Sequence, residues 1–219
     1  VPASIERAAA QVDVDPVDLG RLVLVHELAH ALQNDGVDVE HVFDDVVDLD
    51  HFRTWGAVSE GGANWLALQV ARDLQLEDAF WTLAGLQGWG REGLEEPSAY
   101  PIWMSYGRGM QTLDAVVQDG GMQAFWRWHE APPVSSSMLF APSTYSTELP
   151  PRQVDLAAVL RGTEQLLTRG EWLVSNTRLG EYELRGDAIR TGKEAELAEV
   201  LAHLEDAQHL DLTMSAPTA

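Results

Sequence analysis

Apolar residues recur at helical spacing through most of the chain, and few runs alternate with period 2. The pattern predicts a mainly α protein with few or short strands. Ser4 to Val12 (SIERAAAQV) reads as a short helix with Ser4 as N-cap. VDVDP breaks it, and Asp15 before Pro16 forms a cap and first-turn pair for a second helix. That helix runs from Pro16 to Asn34, with Gly36 as its stop. Asp38 to Phe52 shows no firm period and reads as an acidic loop with strand or short helical pieces. A third helix starts near Arg53 and carries WGAVSEGGANWLALQVARDLQ, although Gly61 and Gly62 lower its propensity. Adjacent glycines inside a helix suggest that another backbone or a ligand comes close.

Asp78 to Gly90 is expected to be helical, and Pro97 to Pro101 a loop. Trp103 to Val117 reads as a helix ended by Gly120 and Gly121, followed by a short helix from Met122 to His129. Ala131 to Pro151, rich in Pro and Ser, is expected to be ordered but irregular. Val154 to Leu167 reads as helical, Glu171 to Leu184 as strand or helix, and Lys193 to His209 as an amphipathic helix. No internal repeat appears. The expectation is one domain over residues 1–219, with a core in 1–150 and a helical C-terminal extension in 151–219 packed on it.

Composition narrows the partners. With 45% hydrophobic residues the chain can bury a sizeable core. Its formal net charge of −21 repels phosphate backbones and anionic lipid, which sets both aside. Lys193 is the single lysine beside 13 arginines. That fits either a surface kept soluble at high salt or an ordinary acidic surface encoded by a GC-rich genome. The absence of cysteine removes thiol catalysis and cysteine metal sites. No apolar run approaches the roughly 20 residues of a membrane span. A chain beginning at Val1 suggests processing or trimming, and an extracellular or cell-surface location is the expectation, with the cytoplasm left open. The eight tryptophans (Trp55, Trp65, Trp81, Trp89, Trp103, Trp126, Trp128 and Trp172) fall mostly inside expected helices, where they suit core packing more than a cleft wall.

One stretch does not fit a plain core helix. VLVHELAHALQ, from Val23 to Gln33, sets two histidines and a glutamate within an apolar run. His26 and His30 are separated by about 40° around a helix, so both imidazoles can reach one metal ion. Glu27 can flank the open side of that ion as general base, which is the mechanics of H-E-x-x-H. Zn²⁺ with three protein ligands and a water is the usual catalytic arrangement. His41, His51, His129, His203, His209 and the acidic residues are candidates for the third ligand. Glu60 stands out, because its neighbours Ala57, Val58, Ala63, Leu66 and Ala67 are apolar. Gly61, Gly62 and Ala63 would then let the two ligand helices approach. Asn64, one turn after Glu60, can accept a hydrogen bond from a ligand histidine. Asp44, Asp45, Asp48 and Asp50 offer oxygen ligands to calcium but lack EF-hand spacing, so a solvated acidic loop is favoured. No phosphate loop, serine elbow or nucleotide fingerprint is present.

VHELAHALQ followed by SEGGANWLALQV resembles the gluzincin class of zinc metallopeptidases. More narrowly, the motif order is similar to that of a group of prokaryotic metallopeptidase-like proteins with HELxHALQ and EGxA helices. Tyr106-Gly107, PPVSSS (Pro132 to Ser137), PSTY (Pro142 to Tyr145) and Leu179-Gly180-Glu181 match later segments of that pattern. The likeness covers about residues 15 to 185, and its first two motifs are the specific ones. It implies that His26, His30 and Glu60 bind zinc and that Glu27 is the general base. Two positions depart from the pattern: Asn64 replaces an Asp common in gluzincins, and Ser137-Met138 replaces a Glu-Gln pair. For the oxyanion, Tyr106, Tyr100, Tyr145, His129 and Arg108 are candidate donors. Tyr106 is the first choice among them, with an ordinary packed tyrosine as its alternative.

The sequence thus predicts a mainly α, zincin-like, zinc-dependent hydrolase acting on a peptide or protein substrate. Two alternatives stay open: a zinc-binding structural or binding module of the same fold, and a metal-free helical interaction domain.

Overall fold

A computed structural model describes residues 2–36, 49–145 and 181–199. Among these residues the chain is mainly helical, with one two-stranded antiparallel hairpin. No helix of the described residues is long and apolar enough to cross a membrane.

Helix α1 (Ala3–Val12) begins one residue before the expected Ser4 cap; Pro2 takes the N-cap position, with no side-chain cap hydrogen bond. Asp13 ends it in the left-handed region (φ 55°), its N–H donating to Ala9. Helix α2 (Pro16–Gly36) opens as expected: Val17 N–H donates to the Asp15 carboxylate at 2.7 Å. Helix α3 (Leu49–Asp73) starts earlier than the sequence suggests and absorbs Asp50 and His51. Asp50 is therefore not part of a solvated loop. It is fully buried and accepts the Ser136 N–H at Oδ2. Asp44, Asp45 and Asp48 lie outside the described residues, as do His41, His203, His209 and the segments 146–180 and 200–219.

Helix α4 (Glu77–Leu86) ends short of the expected Gly90. The chain turns through Gly88 (φ 82°) into strands β1 (Trp89–Gly90) and β2 (Gly93–Leu94), paired Trp89 to Leu94 and Gly90 to Gly93. Pro97–Ala99 and α5 (Tyr100–Ile102) lead into a π-helical segment, Trp103–Arg108, and then α6 (Gly109–Glu130). Gly121 (φ 65°, ψ −168°) interrupts α6, at the Gly-Gly pair that divides the two helices expected from sequence. Short α7 (Ser137–Phe140), a 3₁₀ turn at Pro142–Thr144 and α8 (Glu181–Thr191) complete the named elements.

Helix α3 is the centre of the packing, lying against α6, α2 and the π-helical segment. Its buried face (Ala57, Val58, Trp65, Leu68) joins Met104, Leu113 and Phe125, all largely removed from water. Side chains of this size contribute about 1.5–3 kcal/mol each on full burial. Trp65, Trp89 and Trp128 belong to the same core. Among the described residues the two sides of helix α2 differ: Leu19, Leu22 and Ala29 are buried, whereas Leu24, Leu28 and Leu32 are more than half exposed. The apolar run that looks core-bound in sequence therefore has an inner and an outer face.

The glycines of α3 answer the question their sequence raises in two ways: Gly62 faces Gln33 of α2 together with His129, whereas Gly61 faces α6 instead. A Cβ on Gly61 would sit 2.3 Å from the carbonyl carbon of Gly109, and one on Gly109 only 2.0 Å from the Ala57 oxygen. These two glycines bring α3 and α6 backbone to backbone; they do not join α2 to α3. Gly61→Val should cost at least the 1–3 kcal/mol typical of overpacking, because backbone rather than a mobile side chain must move. Urea denaturation of the metal-free variant reads this, and a wild-type midpoint would contradict the close approach.

Candidate metal centre

Helix α2 presents His26 and His30 on one face, a turn apart, with their rings at 4.7 Å and nearly perpendicular. Alongside, α3 presents Glu60. His30 Nε2 lies 3.1 Å from His26 Nε2 and 3.2 Å from Glu60 Oε2, and His26 Nε2 lies 3.3 Å from the same oxygen. Donor atoms bound at about 2.0–2.1 Å to one tetrahedral zinc stand about 3.3–3.4 Å apart. The triangle is thus close to one face of such a tetrahedron, and these residues can hold a metal ion. Among the described residues, no other group of His, Asp and Glu side chains converges in this way.

Both rings are turned to suit that use. The second nitrogen of His26, Nδ1, donates to Asn64 Oδ1 at 2.9 Å, and that of His30 donates to Gln33 Oε1 at 2.9 Å. With the proton on Nδ1, each Nε2 lone pair faces the triangle. Asn64 stands where the sequence placed it. Gln33, although inside the quoted motif, is a partner that sequence reasoning missed; its only signal was an amide side chain a turn after His30.

Electrostatics reinforce the geometry. Burial would raise the Glu60 carboxyl, but hydrogen bonds and charge from His26 and His30 overcome it and hold the pKa at about 2. The Glu60 hydrogen bond is the main cause that raises His30 above its ordinary 6.5; burial opposes it, and Gln33 adds to the rise. In the metal-free protein Glu60 is therefore ionised, and its stabilising effect is lost as pH falls from about 4.5 toward about 2.

The cleft beside the triangle has a volume of ≈ 190 Å³. His26, Glu27 and Asn64 line one side, and Leu22, Phe80, Leu83 and Trp89 make it largely apolar. Glu27 is exposed at this opening. Tyr106 lines the same cleft, its ring stacked at 5.9 Å on His26. Burial and the neighbouring Glu60 push its phenol up to about 12, so it remains a hydrogen-bond donor. It stands in the π-helical segment, whose wider turn shifts it out of regular helical phase.

The other candidate donors point elsewhere. Tyr100 OH donates to the Tyr182 carbonyl, Tyr145 OH to the Ala131 carbonyl, and Arg108 to the carbonyls of Leu139 and Phe140. His129 is buried behind Gln33. His51 is buried in the first turns of α3 and is not part of the triangle. Met138 is buried in α7 and does not line the cleft.

No family model, curated protein or solved structure matches this chain. The functional argument consequently rests on the site's own geometry.

A proton and a metal ion compete for His30 Nε2. Because Glu60 raises the pKa of His30, the proton begins to win at higher pH than it would on an isolated imidazole. Zinc Kd should be level at alkaline pH and rise about tenfold per unit as pH falls through that raised value. Competition with a chromophoric chelator measures it; a Kd unchanged down to pH 6.5 would contradict the assignment of His30.

Proposed function

We propose that the protein is a zinc-dependent hydrolase of peptide bonds. The observation that carries this reading is the 3.1–3.3 Å triangle of His26, His30 and Glu60, with Glu27 and Tyr106 lining the cleft into which His26 faces. Two neutral imidazoles and one carboxylate form a donor set typical of catalytic zinc. Zinc bound there supplies Lewis acidity and lowers the pKa of a water to about 7.

The chain's own residues do the rest. Glu27 takes a proton from the attacking water and delivers it to the leaving amine. Tyr106, kept protonated by its surroundings, donates a hydrogen bond to the oxygen on which negative charge develops. The apolar wall of Leu22, Phe80, Leu83 and Trp89 receives an apolar substrate side chain and excludes water from the reacting bond. The net negative surface favours peptides that are not themselves strongly acidic.

A second reading has a specific observation behind it. Both ligand histidines are backed by neutral amides rather than by a carboxylate, so neither ring is made as basic as it might be. The same centre would then serve a zinc-binding module without turnover.

Elemental analysis together with a peptide-library assay separates these readings. The hydrolase reading expects one zinc per chain and cleavage beside apolar residues, stopped by chelator and restored by zinc. Zinc without cleavage favours the binding module, and no zinc leaves a metal-free interaction domain. Glu27→Gln should keep the metal and lose about 10²–10⁴-fold in kcat, whereas His30→Ala loses both. Tyr106→Phe should cost about 10²-fold in kcat with zinc content unchanged. Wild-type turnover in Glu27→Gln would remove the role given to Glu27.

A further inference from the structure

Next to His30, and not among the residues lining the cleft, lies a buried polar chain that the hydrolysis scheme does not use. Gln33 and His129 are 4% and 5% exposed. They come from α2 and from the last turn of α6, 96 residues apart in sequence. Gln33 Nε2 donates to the Ser59 carbonyl at 3.0 Å and to His129 Nε2 at 3.1 Å, while its Oε1 accepts from His30. His129 Nδ1 in turn donates to the Phe125 carbonyl at 2.9 Å.

We propose that Gln33, oriented by His129 and Ser59, is a positioning residue that fixes the tautomer and ring angle of His30. The inference rests on the metal-centre reading and extends it. A primary amide can present either its oxygen or its NH₂ to a neighbouring ring. What decides here is the far side of the amide. The carbonyls of Ser59 and Phe125 can only accept hydrogen bonds. Of the two carbonyls near the His129 ring, that of Phe125 forms the hydrogen bond, at 2.9 Å from Nδ1, and holds the ring proton there, so Nε2 meets the Gln33 amide at 3.1 Å as a lone pair. Burial favours this neutral ring, against the carbonyls of Phe125 and Val58, which favour a second proton. The Gln33 NH₂ thus faces two acceptors, and Oε1 is left for His30. The His30 proton is then held on Nδ1, and Nε2 is free for the metal. With the amide reversed, NH₂ would face His30 Nδ1, drive its proton to Nε2 and point it into the triangle.

Gly62 of α3 makes room for this chain. A Cβ there would lie 2.5 Å from His129 Nε2 and 2.7 Å from Gln33 Nε2. The second glycine of the Gly61-Gly62 pair thereby serves the site, as the first serves the α3–α6 contact.

The test uses the full chain. Zinc Kd is measured by chelator competition for wild type, Gln33→Leu, His129→Leu and the conservative His129→Gln. Long-range proton–nitrogen NMR on the metal-free protein reports which ring nitrogens carry protons. Gln33→Leu should weaken zinc binding about 10–100-fold, as loss of a partner behind a ligand histidine does. His129→Leu should weaken it less, and His129→Gln, which restores an acceptor, should lie near wild type. In wild type, His129 should carry its proton on Nδ1, and His30 should keep one on Nδ1 whether or not its Nε2 is also protonated toward Glu60. An Nε2 proton on His129 overturns the proposal even if every variant fails to fold. Wild-type Kd in folded Gln33→Leu overturns it while leaving the metal centre intact. A wild-type protein that takes up no zinc overturns the metal reading and this one together.

Discussion

Two imidazole lone pairs and one carboxylate oxygen stand within 3.3 Å of one another across the seam between α2 and α3. Such a grouping repels itself unless something positive lies among the donors. In the metal-free protein the same mutual influence raises His30 above its ordinary value and holds Glu60 at about 2. A divalent cation supplies that positive charge with a fixed geometry. The rest of the molecule can be understood as the frame that keeps these three atoms from relaxing apart.

That frame is built mostly by α3. One side carries Glu60 and Asn64 toward α2, a second carries Gly61 into backbone contact with Gly109, and Gly62 clears space for Gln33 and His129. At 100° per residue, adjacent positions must face different neighbours. Glu60, Gly61 and Gly62 consequently have three separate tasks, although they read as one motif. Helix α2 is anchored more lightly, with Leu24, Leu28 and Leu32 exposed on its outer face. The rigidity of the site therefore depends on the α3–α6 pair and on polar links from α6 through Gln33 to His30.

The amides behind the histidines set the character of the centre. A carboxylate in their place would make each ring a stronger donor but would add negative charge to a site that already holds Glu60. Asn64 and Gln33 orient the rings without that charge. A zinc ion bound by His26, His30 and Glu60 would keep a net positive charge, which suits stabilising an oxyanion.

Helix content, the pairing of His26 with His30, and the choice of Glu60 and Asn64 were legible along the chain, because they follow from helical periodicity acting within one helix or from a carboxylate on an apolar face. Even the break at Gly121 was visible as a glycine pair. The sequence could not show which neighbour each α3 glycine meets. Nor could it show that Asp50 is buried, or that Tyr106 sits on a widened π turn while Tyr100, Tyr145 and Arg108 are tied to backbone carbonyls. Least of all could it join Gln33 to His129. Such features are decided only by tertiary structure, for a physical reason. Spacing within a helix sets which side chains share a face, but the energy of a buried polar group depends on the atoms brought to it by other helices.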